Sequence, residues 1–270
     1  MPKFSVYSLG FPGYSIEDVV KISSEIGFDG IDIRVREDGH IYINSDRKYR
    51  RKLLELTSSY NIDFYGIYSY LGQNFTTIDM EERDRVIELV EKHLDLAVDL
   101  NGIYLRIFSE SSDLSEKAFK RYVKVCKTIC RLAEDRNIFI GVETHGGLVW
   151  NSMQCNRLLR EVDSPYLKIV YDVANIYRNG GDPLKEIKNI EMENIIAVQF
   201  HDLKKIDNKY TIVLLGKGIV PFKNVIEYLR KKGYEKYVVD EYERWWNPKL
   251  PDPKIGLPYE LNLLKTYFKV

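Results

Sequence analysis

Along this chain, short runs of β-branched and aromatic residues alternate with longer stretches whose apolar positions recur at helical spacing. Residues 4–9 read as a first strand. Ser15 then caps a helix, with Asp18 three residues on as in a capping box. Ile16, Val19, Val20 and Ile26 keep one face of that helix apolar, and Gly27 ends it. The unit repeats along the whole chain. Strands are expected at 30–35, 62–68, 103–108, 138–143, 167–172, 195–201 and 237–242. Helices are expected at 46–60, 79–100, 115–136, 152–162, 183–189, 221–232 and 258–268. The strands are nearly continuous apolar runs such as IIAVQF, which suits strands covered by helices. Eight strands alternating with eight helices predict an α/β fold with a parallel sheet, closed as a single (β/α)8 TIM barrel over residues 1–270. Two long loops, 70–78 and 202–220, follow strands and so fall on the face where barrels carry their active sites; the second has room for a hairpin around 210–215.

Composition narrows the function classes. With 44% apolar residues the chain can close a core, and no apolar run reaches the roughly 20 residues of a membrane-spanning helix. Forty basic residues balance forty acidic ones, so no electrostatic footprint for nucleic acid is expected. Three cysteines and an N-terminus without a charged-then-apolar leader suit a reducing, cytoplasmic setting.

The informative anomaly is a polar residue closing an otherwise apolar strand. IFIGVE stops at Glu143, LKIVYD at Asp172, IIAVQFH at His201, and YVVDE at Glu241. Any one of these alone fits a helix cap or a solvated loop residue. Together, at the converging ends of parallel strands, three carboxylates would repel one another at low dielectric. A divalent cation resolves that conflict. Three carboxylates and an imidazole suit Mn²⁺, Mg²⁺ or Co²⁺ and admit Zn²⁺.

The run ETHGGLVWNSMQCNRLLREVDSPYLKIVYDVANIY, with the later QFHDLK and GYEKYVVDEYERWW, resembles the sugar phosphate isomerase/epimerase superfamily of xylose-isomerase-like barrels. The resemblance implies one divalent metal ion held by Glu143, Asp172, His201 and Glu241. It also implies an isomerase or epimerase of a ketose, polyol or related small carbohydrate, working through an enediolate with Glu143 and Glu241 as base and acid on opposite faces of the substrate. An inosose-type dehydratase is the nearest alternative. An endonuclease IV-like enzyme fits less well, since that lineage needs additional His ligands and this chain has four His in total. A homodimer or homotetramer is implied as well. Many relatives carry His three residues after the strand-six Asp, where this chain has Asn175. His145, Asn175, Arg106 and Trp245 are the candidate substrate contacts. Arg34 and Arg106 lie within strands and need either a ligand or a buried partner such as Asp32. Gly216-Lys217-Gly218 offers the backbone N–H groups and cation of an anion site, on a short motif.

Overall fold

The computed structural model describes all residues 1–270. In chain order its strands are β1 (Lys3–Tyr7), β2 (Gly30–Arg34), β3 (Asp63–Tyr68), β4 (Tyr104–Ile107), β5 (Phe139–Glu143), β6 (Leu167–Asp172), β7 (Ile195–Phe200), β8 (Asp202–Ile206), β9 (Lys209–Val213) and β10 (Tyr237–Asp240). Its helices are α1 (Ile16–Ile26), α2 (Arg47–Ser59), α3 (Met80–Asp99), α4 (Glu116–Glu134), α5 (Ser152–Val162), α6 (Val173–Arg178), α7 (Pro183–Lys188), α8 (Phe222–Lys231) and α9 (Pro253–Phe268). Eight parallel strands close into a barrel in the order β1-β10-β7-β6-β5-β4-β3-β2, as expected. The seam is made by β1 on β10, with Phe4 opposite Val238 and Val6 opposite Asp240.

Helix boundaries follow the local chemistry. Ser15 accepts the backbone N–H of Asp18 at 3.1 Å, and Gly27 closes α1 at φ 96°. Two helices depart from the expected boundaries. The six-residue α6 follows β6 directly; it is too short to show a helical period. α9 begins at Pro253, not at 258, because Asp252 caps it and Pro253 sits in its first turn, where its missing N–H costs nothing. Pro258 then lies inside the helix, and the carbonyl it leaves unbonded belongs to the exposed Lys254.

The hairpin expected in the 202–220 segment forms from β8 and β9, outside the barrel. Asp207 and Asn208 both take positive φ, 47° and 61°, as a two-residue primed turn requires.

Strand alternation sorts side chains into two cores. Ile140, Val142, Ile169, Val198 and Val238 face the helices in the main core. Tyr7, Tyr68, Tyr104, Val170 and Val239 fill the lumen. Asp32 is buried among the lumen tyrosines, accepting from the Ser5 and Tyr104 hydroxyls, and burial pushes it up to about 6. Asp32 therefore partners neither Arg34 nor Arg106. Gly66 makes room for it: a Cβ there would collide with the Asp32 carboxylate and the Tyr104 ring.

On the outer side of β10, Asp240 lies fully buried beside Glu260 of α9. Burial and the neighbouring charge raise Asp240 well above the usual carboxylate range, and burial pushes Glu260 up to about 7 against the lowering effect of its Asp240 hydrogen bond. Both acids bind protons more tightly folded than unfolded. For Glu260 that contribution to stability is complete below about pH 4.5 and is lost as the pH rises through about 7. Gln at position 260 would keep the acceptor for the Leu215 N–H, which Glu260 takes at 2.8 Å. Glu260→Gln is expected to reduce the loss of stability between about pH 5 and pH 8 by on the order of 2 kcal/mol, measured by urea unfolding. An unchanged pH slope would show that the pair does not titrate in this range.

Candidate active site

The carboxyl ends of β5, β6, β7 and β10 converge on one mouth. Period-two alternation turns Glu143, Asp172, His201 and Glu241 inward, because Val142, Tyr171, Phe200 and Tyr242 pack outward against the helices. All four are buried. Ligand atoms of Asp172, His201 and Glu241 lie within 4.8 Å of one another. His201 Nδ1 is 3.0 Å from Glu241 Oε2 and 3.8 Å from Asp172 Oδ2.

Glu143 stands beside this trio and is not part of it. Its Oε2 accepts from Arg106 Nη1 at 2.7 Å, and its Oε1 is 3.4 Å from Asn175 Nδ2. The Asn175 amide also donates to Asp172 Oδ2, and its backbone N–H donates to Asp172 Oδ1 at 2.8 Å. Asp172 thus caps α6 with one oxygen and faces His201 with the other, and Asn175 links it to Glu143.

The electrostatics of the trio favour a cation. Burial, with the Glu241 charge close by, pushes Asp172 up to about 6. Burial disfavours a charge on His201, yet Asp172, Glu243 and the Glu241 hydrogen bond together push it up to about 10. The imidazolium supplies the positive charge that the carboxylates require. A divalent ion would supply it better, releasing Nδ1 to act as a ligand. The residues therefore fit such an ion: hard carboxylate oxygens and one imidazole nitrogen, all buried, with Glu241 reaching the cavity.

Glu243 has no counterpart in the expected site. It lies two residues beyond Glu241, and its Oε2 is 3.8 Å from His201 Nε2, on the far side of the ring from Asp172. Burial, with the Glu241 and Asp172 charges, pushes it up to about 7. At that distance the two groups interact through charge, without a hydrogen bond, and His201 Nε2 has no hydrogen-bond partner. The signal was the i+2 spacing in Asp240-Glu241-Tyr242-Glu243, which continues the inward alternation of β10.

The cavity above these groups has a volume of about 370 Å³ and is lined by Arg106, Glu143, His145, Asn175, Glu241 and Glu243, with Phe108, Ile212 and Trp246 as its apolar wall. His145 sits on the loop after β5, its Nδ1 2.7 Å from Glu110 Oε1 and its ring 4.9 Å from that of Phe108. Burial opposes its charge, but the Glu110 hydrogen bond and the Glu143 charge raise its pKa.

Trp245 is placed differently. It lies off the cavity, stacked 4.4 Å from the Arg34 guanidinium, while its neighbour Trp246 lines the wall. Arg34 is also held by Tyr70 and by Asp38, which answers the need of a buried guanidinium for partners. The Gly216-Lys217-Gly218 segment is no vacant anion site. Asp202 fills it, accepting the N–H groups of Gly216 and Gly218 at 2.9 Å each, as well as those of Leu203 and Val220. His93 is a core residue, its Nδ1 2.7 Å from the Leu89 carbonyl, and His40 bonds the Phe11 carbonyl away from the cavity.

The chain is 25% identical over 240 residues to the 3-dehydroshikimate dehydratase of Bacillus anthracis, covering 84% of each chain. It is 22% identical over 280 residues to the inosose dehydratase of Geobacillus thermodenitrificans, covering 93% of this chain and 91% of the relative. Among solved structures, L-ribulose 3-epimerase superposes with a TM-score of 0.84 at 14% identity, over 100% of this chain and 95% of that one, a likeness of fold. A model of the xylose isomerase-like TIM barrel matches residues 20–266, and the chain belongs to that family.

Proposed function

We propose that this chain is a divalent-metal-dependent lyase that removes water from a small polyhydroxylated ketone. The observation that carries this reading is the buried Asp172–His201–Glu241 group, whose Glu241 lines the same cavity as Glu143. Mn²⁺, Mg²⁺ or Co²⁺ suits the donors best. Such an ion, held by Asp172, His201 and Glu241 with Glu143 adjacent, supplies Lewis-acid polarisation of the substrate carbonyl.

The chain's own residues supply the rest. Glu143 closes β5, Glu241 directly follows β10, and both line the cavity, so one carboxylate can take the proton beside the carbonyl while the other delivers a proton. In dehydration the C–H bond breaks, its electrons form the new double bond, the C–O bond to the β-hydroxyl breaks, and the protonated hydroxyl leaves as water. Arg106 holds Glu143, Asn175 ties Glu143 to Asp172, and the Glu243 carboxylate sets a negative charge beside the His201 ring. Phe108 and Trp246 offer apolar faces to a carbon ring.

Epimerisation is the second reading. It uses the same proton removal, with return to the opposite face of the carbon. Sequence reasoning places it first. The two dehydratase relatives move dehydration ahead, because the epimerase likeness is one of fold alone.

The test is a panel of cyclic and open-chain polyhydroxy ketones in D₂O, with Mn²⁺ added, followed by NMR. Deuterium is expected at the carbon beside the carbonyl, with an unsaturated product one water lighter, and both signals should vanish on chelation. Absence of exchange across the panel with Mn²⁺, Mg²⁺, Co²⁺ and Zn²⁺ would overturn the reading. Exchange without water loss would favour epimerisation.

A further inference from the structure

Each cation around the cavity has a carboxylate partner, with one exception. Arg106 is matched by Glu143 at 2.7 Å. Glu110 is fully used, one oxygen by His145 Nδ1 and the other by Gln73 Nε2 at 2.8 Å. Glu241 and Glu243 flank His201. That leaves Arg178, the last residue of α6, which also lines the cavity. No carboxylate lies within ion-pair distance of its guanidinium. Its one hydrogen-bonding neighbour is His145 Nε2, 3.4 Å from Nη2.

An arginine at a helix C-terminus ordinarily bonds the last carbonyls of its own helix. Arg178 makes no such bond. The ends of α6 and the β5 loop are instead tied by Asn179, whose Nδ2 donates to the His145 carbonyl at 3.0 Å. That tie fixes the imidazole and the guanidinium side by side at the cavity rim. A planar fork of N–H donors exposed at the rim of a ligand cavity, with no acid within ion-pair distance, is suited to bidentate recognition of a carboxylate.

The geometry points to Arg178, beside His145, as the seat for a carboxylate on the substrate, so that the site takes a carboxylate-bearing cyclic polyhydroxy ketone in preference to a neutral one. This rests on the proposed proton-abstraction chemistry and narrows its substrate class. It separates two kinds of ring that the dehydratase reading leaves equal: acidic rings such as dehydroshikimate, and neutral rings such as an inosose. No carboxylate is consumed in the reaction; it serves to anchor the ring while its ketone meets the Asp172–His201–Glu241 group.

Shikimate and methyl shikimate make a direct probe pair, since they differ only in whether the carboxylate is charged or esterified. Titration calorimetry with the Mn²⁺-supplemented full chain is expected to show shikimate binding at least about tenfold tighter than its ester. Arg178→Gln should abolish that preference while leaving ester affinity within about twofold, and Arg178→Lys should restore part of it. Equal affinities in the wild type, a preference that survives Arg178→Gln, or no shikimate binding at millimolar concentration would each overturn the proposal. The two readings fail separately. A missing carboxylate preference with deuterium exchange intact removes the seat alone, and a preserved preference without exchange removes the reaction assignment alone.

Discussion

Glu241→Gln is expected to lower turnover by at least about a thousandfold while leaving the barrel folded. A positioned general acid or base contributes on the order of 10²–10⁴ in rate, and this residue also supplies one of the three groups that would hold the ion. The amide keeps the volume of the acid and removes both its charge and its basicity. Two measurements separate these losses. Deuterium exchange into the substrate reports on proton transfer. The rise in melting temperature on adding Mn²⁺ reports on the ion's affinity, since a ligand that binds only the folded state stabilises it by mass action. Wild type should show both signals, His201→Ala should lose the thermal shift, and Glu241→Gln should lose the exchange even at saturating Mn²⁺. Exchange within tenfold of wild type in Glu241→Gln would mean that this carboxylate moves no proton.

Breaking the Arg106–Glu143 pair should have the largest effect on stability. Both side chains are almost wholly buried, and Glu143 is the carboxylate that neutralises Arg106. The Arg106 guanidinium also lies 4.1 Å from the Phe108 ring centroid and 4.5 Å from that of Tyr68, aromatic faces that bind a cation but cannot replace an anion. Glu143→Leu leaves a buried cation unpaired, at an expected cost of about 3–5 kcal/mol. Arg106→Met alone should cost a similar amount. The double variant should recover most of it, because an apolar pair of similar volume carries no desolvation penalty. Urea unfolding of the four proteins in the cycle measures the coupling. A loss below about 1 kcal/mol in Glu143→Leu would show that water in the cavity solvates Arg106 well enough to stand in for its partner.

Much of the architecture was legible because the barrel's demands are periodic. Strands covered by helices must be apolar on the outside, and lumen-facing positions alternate with them, so a carboxylate closing such a run marks the mouth. This reasoning identified Glu143, Asp172, His201 and Glu241 as residues to bring together, and they line one end of the barrel. It was silent on side-chain direction. Whether Glu143 faces the trio or Arg106 depends on neighbours from β4 and α6, which only tertiary structure supplies. Trp245 and Trp246 are adjacent in sequence, yet one covers Arg34 and the other lines the cavity, because the segment after β10 turns between them. Glu243 was readable in principle, by extending the alternation of β10 past its last paired residue. The short α6 was not, since six residues span fewer than two helical turns. The Gly216-Lys217-Gly218 segment has the composition of an anion site, and its anion is a side chain of the same chain, Asp202, fourteen residues before Gly216.

Because Asp202 gathers four backbone N–H groups at the foot of the hairpin that carries Ile212, that side of the cavity rim is set in place during folding. An arriving molecule meets a wall already frozen, and none of its affinity is spent on immobilising these residues, a toll that elsewhere runs to about 0.5–1.5 kcal/mol for each mobile side chain.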